Sequence, residues 1–305
     1  MSWPAAMARG RLTFVTGLRA TALLLGGLTL AAAAGGGAGP PGAAGDRPAQ
    51  RQRHGSVPRR PGGMPHFDAS GNFPSYDGGF HFCRLWFRNG FTGDGDGWWV
   101  DYPRADENLS IRLGELTKAP VTNDLEGNPD HFVVRLIDPA LFQCPFLMMS
   151  EPGGSYFDEK EAANLRAYLL KGGFLWADDF WGNLAWSNWE MQIRKALPAS
   201  EYPIVDVTTD HPMFHMLFNI AEFQQIPNIG LWVRYHETSE RGAESAQMHT
   251  RIIVDTKGRP IVFMTHNTDF GDAYEREAES PDYFKRFSVN GYAIGVDVLL
   301  YAMTH

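Results

Sequence analysis

The chain has 305 residues, of which 44 % are hydrophobic, 13 % aromatic and 20 % charged, a composition that excludes collagen-like, coiled-coil and wholly disordered chains. The net charge of −8 is unevenly spread: Arg9, Arg11 and Arg19 carry all the charge of residues 1–34, five Arg face one Asp in 35–63, and 19 basic against 34 acidic residues remain beyond. A body that acidic excludes nucleic acid as a partner, because neutralising phosphates needs a basic face.

Residues 1–34 read as a signal peptide. The run Ala20–Ala34 is uncharged and mostly apolar, and Ala32-x-Ala34 offers a small-residue cut before Gly35. At 15 residues the run falls short of the 20 or so that span a bilayer. Export to the periplasm or the exterior is the expected location, with an uncleaved N-terminal membrane anchor as the alternative. Residues 35–79 read as a disordered Gly/Pro/Arg-rich linker. Its first part, 35–63, holds nine Gly, five Pro and one large apolar residue, Val57, too little to offset the entropy of ordering.

From residue 80 onward, short apolar runs alternate with helical patterns, the signature of an α/β domain with a mostly parallel sheet. Strands are predicted at 82–88, 131–136 and 145–149, with a helix at 106–116 between the first two. The clearest helix is 159–170, where Ala162, Leu165 and Leu169 share a face and Asp158 with Glu161 form a capping box. Gly172-Gly173 ends it. The apolar run 174–177 is a buried strand bounded by Asp178-Asp179. A helix over 184–197 follows, then strands at 204–207, 251–254 and 261–265, the last two joined by a Gly258-Arg259-Pro260 turn. A helix over 291–303, apolar nearly all round and hence buried, closes the domain.

In such sheets ligands sit beyond the carboxyl ends of the strands. That rule selects Asp178 and Asp179, two adjacent carboxylates that packing does not require and whose crowding raises one pKa. The alternative is one helix cap and one solvated acid. Glu151 and the turn glycines Gly153 and Gly154 follow the strand at 145–149. Asp210-His211 follows the strand at 204–207, and Asp269 lies in the loop after the strand at 261–265. If these strands are neighbours, Asp178, Asp179, Glu151 and His211 share one pocket. Trp181, beside Gly182, is the candidate exposed aromatic platform for a sugar face. Metal ligation is open at three places: His211 with His215, the loop from His266 to Asp272, and Asp94-Gly-Asp96, half of a calcium loop. None completes a ligand pattern, so no metal or cofactor is named. Cys83 and Cys144 lie away from any strand-to-helix elbow, so neither is placed as a nucleophile. They are open to pairing in an oxidising compartment or to burial as thiols.

The segments PFLMMSEPGGSYFDEKEAANLRAYLLKGG, GGFLWADDFWG, DHPMF and VNGYAIGVDVLLYA resemble an uncharacterised domain family of exported and membrane-associated bacterial proteins. That family is similar in turn to the class I glutamine amidotransferase-like fold and the trehalose-utilisation type domains. The resemblance implies a flavodoxin-like three-layer sandwich over 80–305. Asp178-Asp179 stands where amidotransferases carry their nucleophilic Cys, so glutaminase chemistry, which needs a thiolate, is rejected. The expected function is binding of a small-molecule, carbohydrate-like or cell-envelope ligand at the Asp178/Asp179 edge. A catalytic form would be a hydrolase with one Asp as general base and Glu151 or His211 as partner, and Gly153, Gly154, Trp181, Asp210 and Asp269 as ligand contacts. The alternative is a non-catalytic interaction module with a protein partner in a membrane-associated assembly.

Overall fold

The computed structural model describes residues 77–90, 95–124 and 126–305. Residues 1–34, expected to be a signal peptide, and nearly all of 35–79, expected to be a linker, lie outside them. The linker's last residues are described: Asp77 is tied to the body through the Thr122 hydroxyl, 2.8 Å from its carboxylate.

The elements run β1 (Phe82–Trp86), β2 (Arg88–Asn89), α1 (Arg104–Leu116), β3 (His131–Arg135), β4 (Leu147–Ser150), β5 (Ser155–Tyr156), α2 (Glu159–Leu170), β6 (Leu175–Phe180), α3 (Gly182–Ala196) and β7 (Ile204–Asp206). They continue with α4 (Ile229–Tyr235), β8 (His249–Val254), β9 (Pro260–His266), α5 (Phe270–Glu275), the single turn α6 (Pro281–Tyr283) and α7 (Val289–Thr304). Seven strands form one sheet in the order β3-β1-β4-β6-β9-β8-β7, while β2 and β5 pair separately. From β3 to β9 all neighbours are parallel; β8 runs against β9, and β7 against β8. Helices cover both faces, consistent with a flavodoxin-like layout.

Strand alternation assigns the two cores. Leu85, Met149, Leu175 and Ala177 face Leu165 of α2 with Trp189 and Ile193 of α3. Phe82, Met148, Trp176 and Phe263 face Leu109 and Leu113 of α1 with Ile294 and Leu299 of α7. Helix α2 begins on the expected capping box, with Asp158 accepting from Glu161 N and Glu161 accepting from Asp158 N, each at 2.9 Å. Gly172 then turns the chain at φ +113°, a conformation that only glycine adopts cheaply. Cys83 and Cys144 are buried and joined in a disulfide with Cα atoms 6.0 Å apart. No helix among the described residues is long and apolar enough to cross a membrane.

Two expectations change. The central strand does not stop at Ala177 but continues through Asp178 and Asp179 to Phe180, buried at all six positions. The strand at 204–206 is not beside β6: β9 and β8 intervene, and it forms the far edge of the sheet.

Candidate functional site

The pairing of β6 with β9 separates the two adjacent aspartates. Asp178 is opposite Thr265 and Phe180 is opposite His266, so Asp179 is an extra residue, a bulge in the ladder. Its φ of +58° re-aims a side chain that regular alternation would have sent into the α2/α3 core. Asp178 keeps its place in the ladder and faces α5. Its Oδ2 accepts from Phe270 N (2.9 Å) and Gly271 N (3.2 Å), and its Oδ1 accepts from the Thr265 hydroxyl. It is therefore the N-terminal anchor of α5. Neither acid is solvated, and neither caps the helix that follows it in sequence.

Asp179 joins two acids from distant parts of the chain. Asp101 enters α1, its carbonyl accepting from Ala105 N. Asp269 caps α5 by accepting from Asp272 N at 2.7 Å. Asp101, Asp179 and Asp269 are all buried, and one carboxylate oxygen of each lies within 4.8 Å of the others. Asp101 also approaches Asp272 and Glu275 in the same way. Those two have other duties, Asp272 accepting from Ile229 N and Glu275 pairing with Arg276. Glu151 stands at the end of the neighbouring β4 with φ +49°, and its Oε2 accepts from Gly97 N at 2.6 Å. The Asp96-Gly97 part of the half calcium loop thus closes over Glu151 with a backbone N–H; Asp94 lies outside the described residues.

Burial is the first cause of the electrostatics here. It pushes Asp101, Asp179 and Asp269 well above the usual carboxylate range, and their neighbours add to it: Asp272 and Glu275 for Asp101, Glu151 and Asp101 for Asp179, Asp179 and Asp101 for Asp269. Arg84 moderates this for Asp101, but its guanidinium is already engaged by the Asp106 carboxylate. Asp178 is raised by burial to about 7 despite its three hydrogen bonds. Four of the five non-glycine residues with positive φ among the described residues, Asp101, Glu151, Asp179 and Asn267, lie in or beside this cluster. Each such residue costs about 1 kcal/mol, and strain of this kind concentrates at functional sites.

The structure thus brings Asp178, Asp179, Glu151 and Asp269 to one edge, as expected, and adds Asp101, which sequence reasoning missed. Its signal, a lone Asp before a Tyr-Pro, is too weak to find alone. His211 and Asp210 do not join. The His211 ring lies 6.1 Å from that of Tyr301, which lies 6.4 Å from Phe174 at the amino end of β6, so His211 sits toward the opposite edge of the sheet. Asp210 is exposed and accepts from the Thr208 hydroxyl. His211 and His215 flank the single turn Pro212–Phe214 and so do not share one helical face. Gly153 and Gly154 position Glu151. A Cβ on Gly153 would stand 2.5 Å from Ala185 Cβ, so glycine lets α3 approach, while the Gly154 carbonyl accepts from Gly90 N. Trp181 is not an exposed platform: it is 5 % exposed, and its Nε1 donates to Asp179 Oδ1 at 2.9 Å.

Compared with known proteins, residues 87–303 match a family model whose description is Domain of unknown function (DUF4159). No curated protein matches the chain.

Proposed function

The chain belongs to the DUF4159 family, a domain without an assigned activity, and from that premise we propose that it is an exported binding domain whose working site is the carboxylate cluster at the carboxyl edge of its sheet. The ligand class read from the sequence, a carbohydrate-like or cell-envelope molecule, belongs to this proposal, as does the amidotransferase-like placement of the ligand edge.

The observation that carries the reading is the Asp179 bulge. A buried acid, held in a left-handed conformation and fixed by the Trp181 N–H, is turned toward two further buried acids. Folding gains nothing from that arrangement, since burying like charges together is costly. A ligand that engages carboxylates recovers the cost. The Cys83–Cys144 disulfide supports export, because such bonds persist in oxidising compartments. A cysteine nucleophile is ruled out, because both cysteines are in the disulfide.

The test is the melting temperature of the full chain with soluble muropeptides and neutral oligosaccharides, in wild type and Asp179→Asn, with product analysis by mass spectrometry. A rise in Tm with one of these ligands, lost in Asp179→Asn, is expected. A rise that Asp179→Asn retains would place the ligand elsewhere. Products that depend on Asp179 and Glu151 would convert the reading into the hydrolase. No response to any of the ligands would favour the interaction module.

A further inference from the structure

We propose that Asp101, Asp179 and Asp269 together hold a hard divalent cation, of the calcium or magnesium class, that ties three separate segments of the chain at the carboxyl edge of the sheet. The inference rests on the reading of that edge as the binding site and names the ion that organises it.

Geometry comes first. Oxygens bound to one calcium at about 2.4 Å are at most about 4.8 Å apart across the ion, and the three carboxylate oxygens meet that limit. Their chemistry selects the ion. The donors are carboxylates alone, with no thiolate or imidazole in the group, which suits hard cations over zinc or copper.

A second, independent observation is the state of Asp101. It is 6 % exposed, and its Oδ2 has no hydrogen-bond partner among the described residues. A buried carboxylate oxygen of that kind calls for a partner that the described residues do not supply, and an ion is one such partner. The fold makes room for it, because a Cβ on Gly271 would overlap that oxygen. The other two acids are pre-set. Trp181 Nε1 fixes Asp179 Oδ1 and Asp272 N fixes Asp269 Oδ1, which leaves the second oxygen of each for the ion. Such outer contacts orient metal ligands and sharpen affinity. The three acids come from the entry to α1, the end of β6 and the start of α5. An ion there crosslinks loops that the sheet alone does not join.

The experiment uses the full chain stripped with EDTA and then titrated with Ca²⁺, Mg²⁺ or Zn²⁺, followed by Tm. At about 100 times Kd, Ca²⁺ or Mg²⁺ should raise Tm by roughly 5–10 °C. Asp101→Asn and Asp269→Asn should each abolish that rise, while melting in EDTA at or above the wild-type temperature because repulsion is relieved. A second measurement needs no variant. Tb³⁺ bound at the site should luminesce on excitation of Trp181, which touches Asp179, and Ca²⁺ should quench it by displacement. Absence of any Ca²⁺ or Mg²⁺ rise in the wild type, a rise that survives both variants, or no sensitised Tb³⁺ emission would each overturn the proposal. Failure here, with an Asp179-dependent muropeptide or oligosaccharide response intact, would remove the cation and leave the binding site standing. The reverse pattern would leave a cation site and remove the larger ligand.

Discussion

Replacing Asp178 by Asn should stabilise the protein relative to wild type progressively between pH 5 and pH 8. Asp178 is fully buried, with two backbone N–H groups on Oδ2 and the Thr265 hydroxyl against Oδ1. An Asn amide keeps a carbonyl for the N–H groups of Phe270 and Gly271 and turns its NH₂ toward Thr265 Oγ1, as a protonated acid would. Burial lifts the acid from 3.8 to about 7. Because the folded value is the higher one, its contribution to stability is complete below 3.8, where both states hold the proton. It is lost as pH rises through 7. The full gap is worth about 4 kcal/mol at ~1.4 kcal/mol per pH unit, and about 2.5 kcal/mol of it falls between pH 5 and pH 8. For a body of this size that is roughly 5–10 °C in Tm gained by Asp178→Asn over wild type. Asp178→Ala should behave differently, leaving two buried N–H groups without an acceptor at a cost of ~1–3 kcal/mol each at pH 5. Differential scanning calorimetry in EDTA at both pH values measures all of this. A difference between Asp178→Asn and wild type that is the same at pH 5 and pH 8 would refute the protonated acid. An alanine variant as stable as the asparagine one at pH 5 would refute the anchoring of α5.

His266 is buried with its value lowered to about 4, first by burial, and its Nε2 meets the Gly182 carbonyl at 3.1 Å. A lowered value means stability present above 6.5 and lost as pH falls through 4, so wild type should lose up to ~3 kcal/mol relative to His266→Gln across that window, read from urea midpoints. Gly153→Ala forces a Cβ to within 2.5 Å of Ala185 Cβ and should cost ~1–3 kcal/mol; an unchanged Tm would show that α3 can shift freely. The disulfide closes a separation of 61 residues, so Cys83→Ser with Cys144→Ser should lower stability by about 4 kcal/mol. Any Ca²⁺-induced rise in Tm should survive that change, since the bond joins the amino-edge ends of the strands; its loss would tie the disulfide to the site.

What the sequence determined by itself is whatever depends on local periodicity and local chemistry. Helix α2 was legible to the residue because Asp158 and Glu161 cap it through contacts three residues apart, and Gly172 ends it for a backbone reason. The central place of β6 followed from an apolar run that needs cover on both faces. The hairpin of β8 and β9 followed from its Gly-Arg-Pro turn. Even the acid edge was legible in outline, because Asp178 and Asp179 lie at the carboxyl end of one parallel strand and Glu151 and Asp269 follow two others. Tertiary structure alone decided how those acids divide. The bulge that turns Asp179 away from Asp178 is a mismatch with β9, 87 residues on from Asp178, and it leaves no mark on the DDF segment itself. Asp101 joins the cluster only because α1 and α5 pack on the same face. His211 misses it because β7 takes the far edge of the sheet, a matter of strand order that no local pattern encodes. Trp181 is buried for the same kind of reason. An indole beside a glycine reads as exposed until Asp179, re-aimed by the bulge, supplies the acceptor that holds it inside.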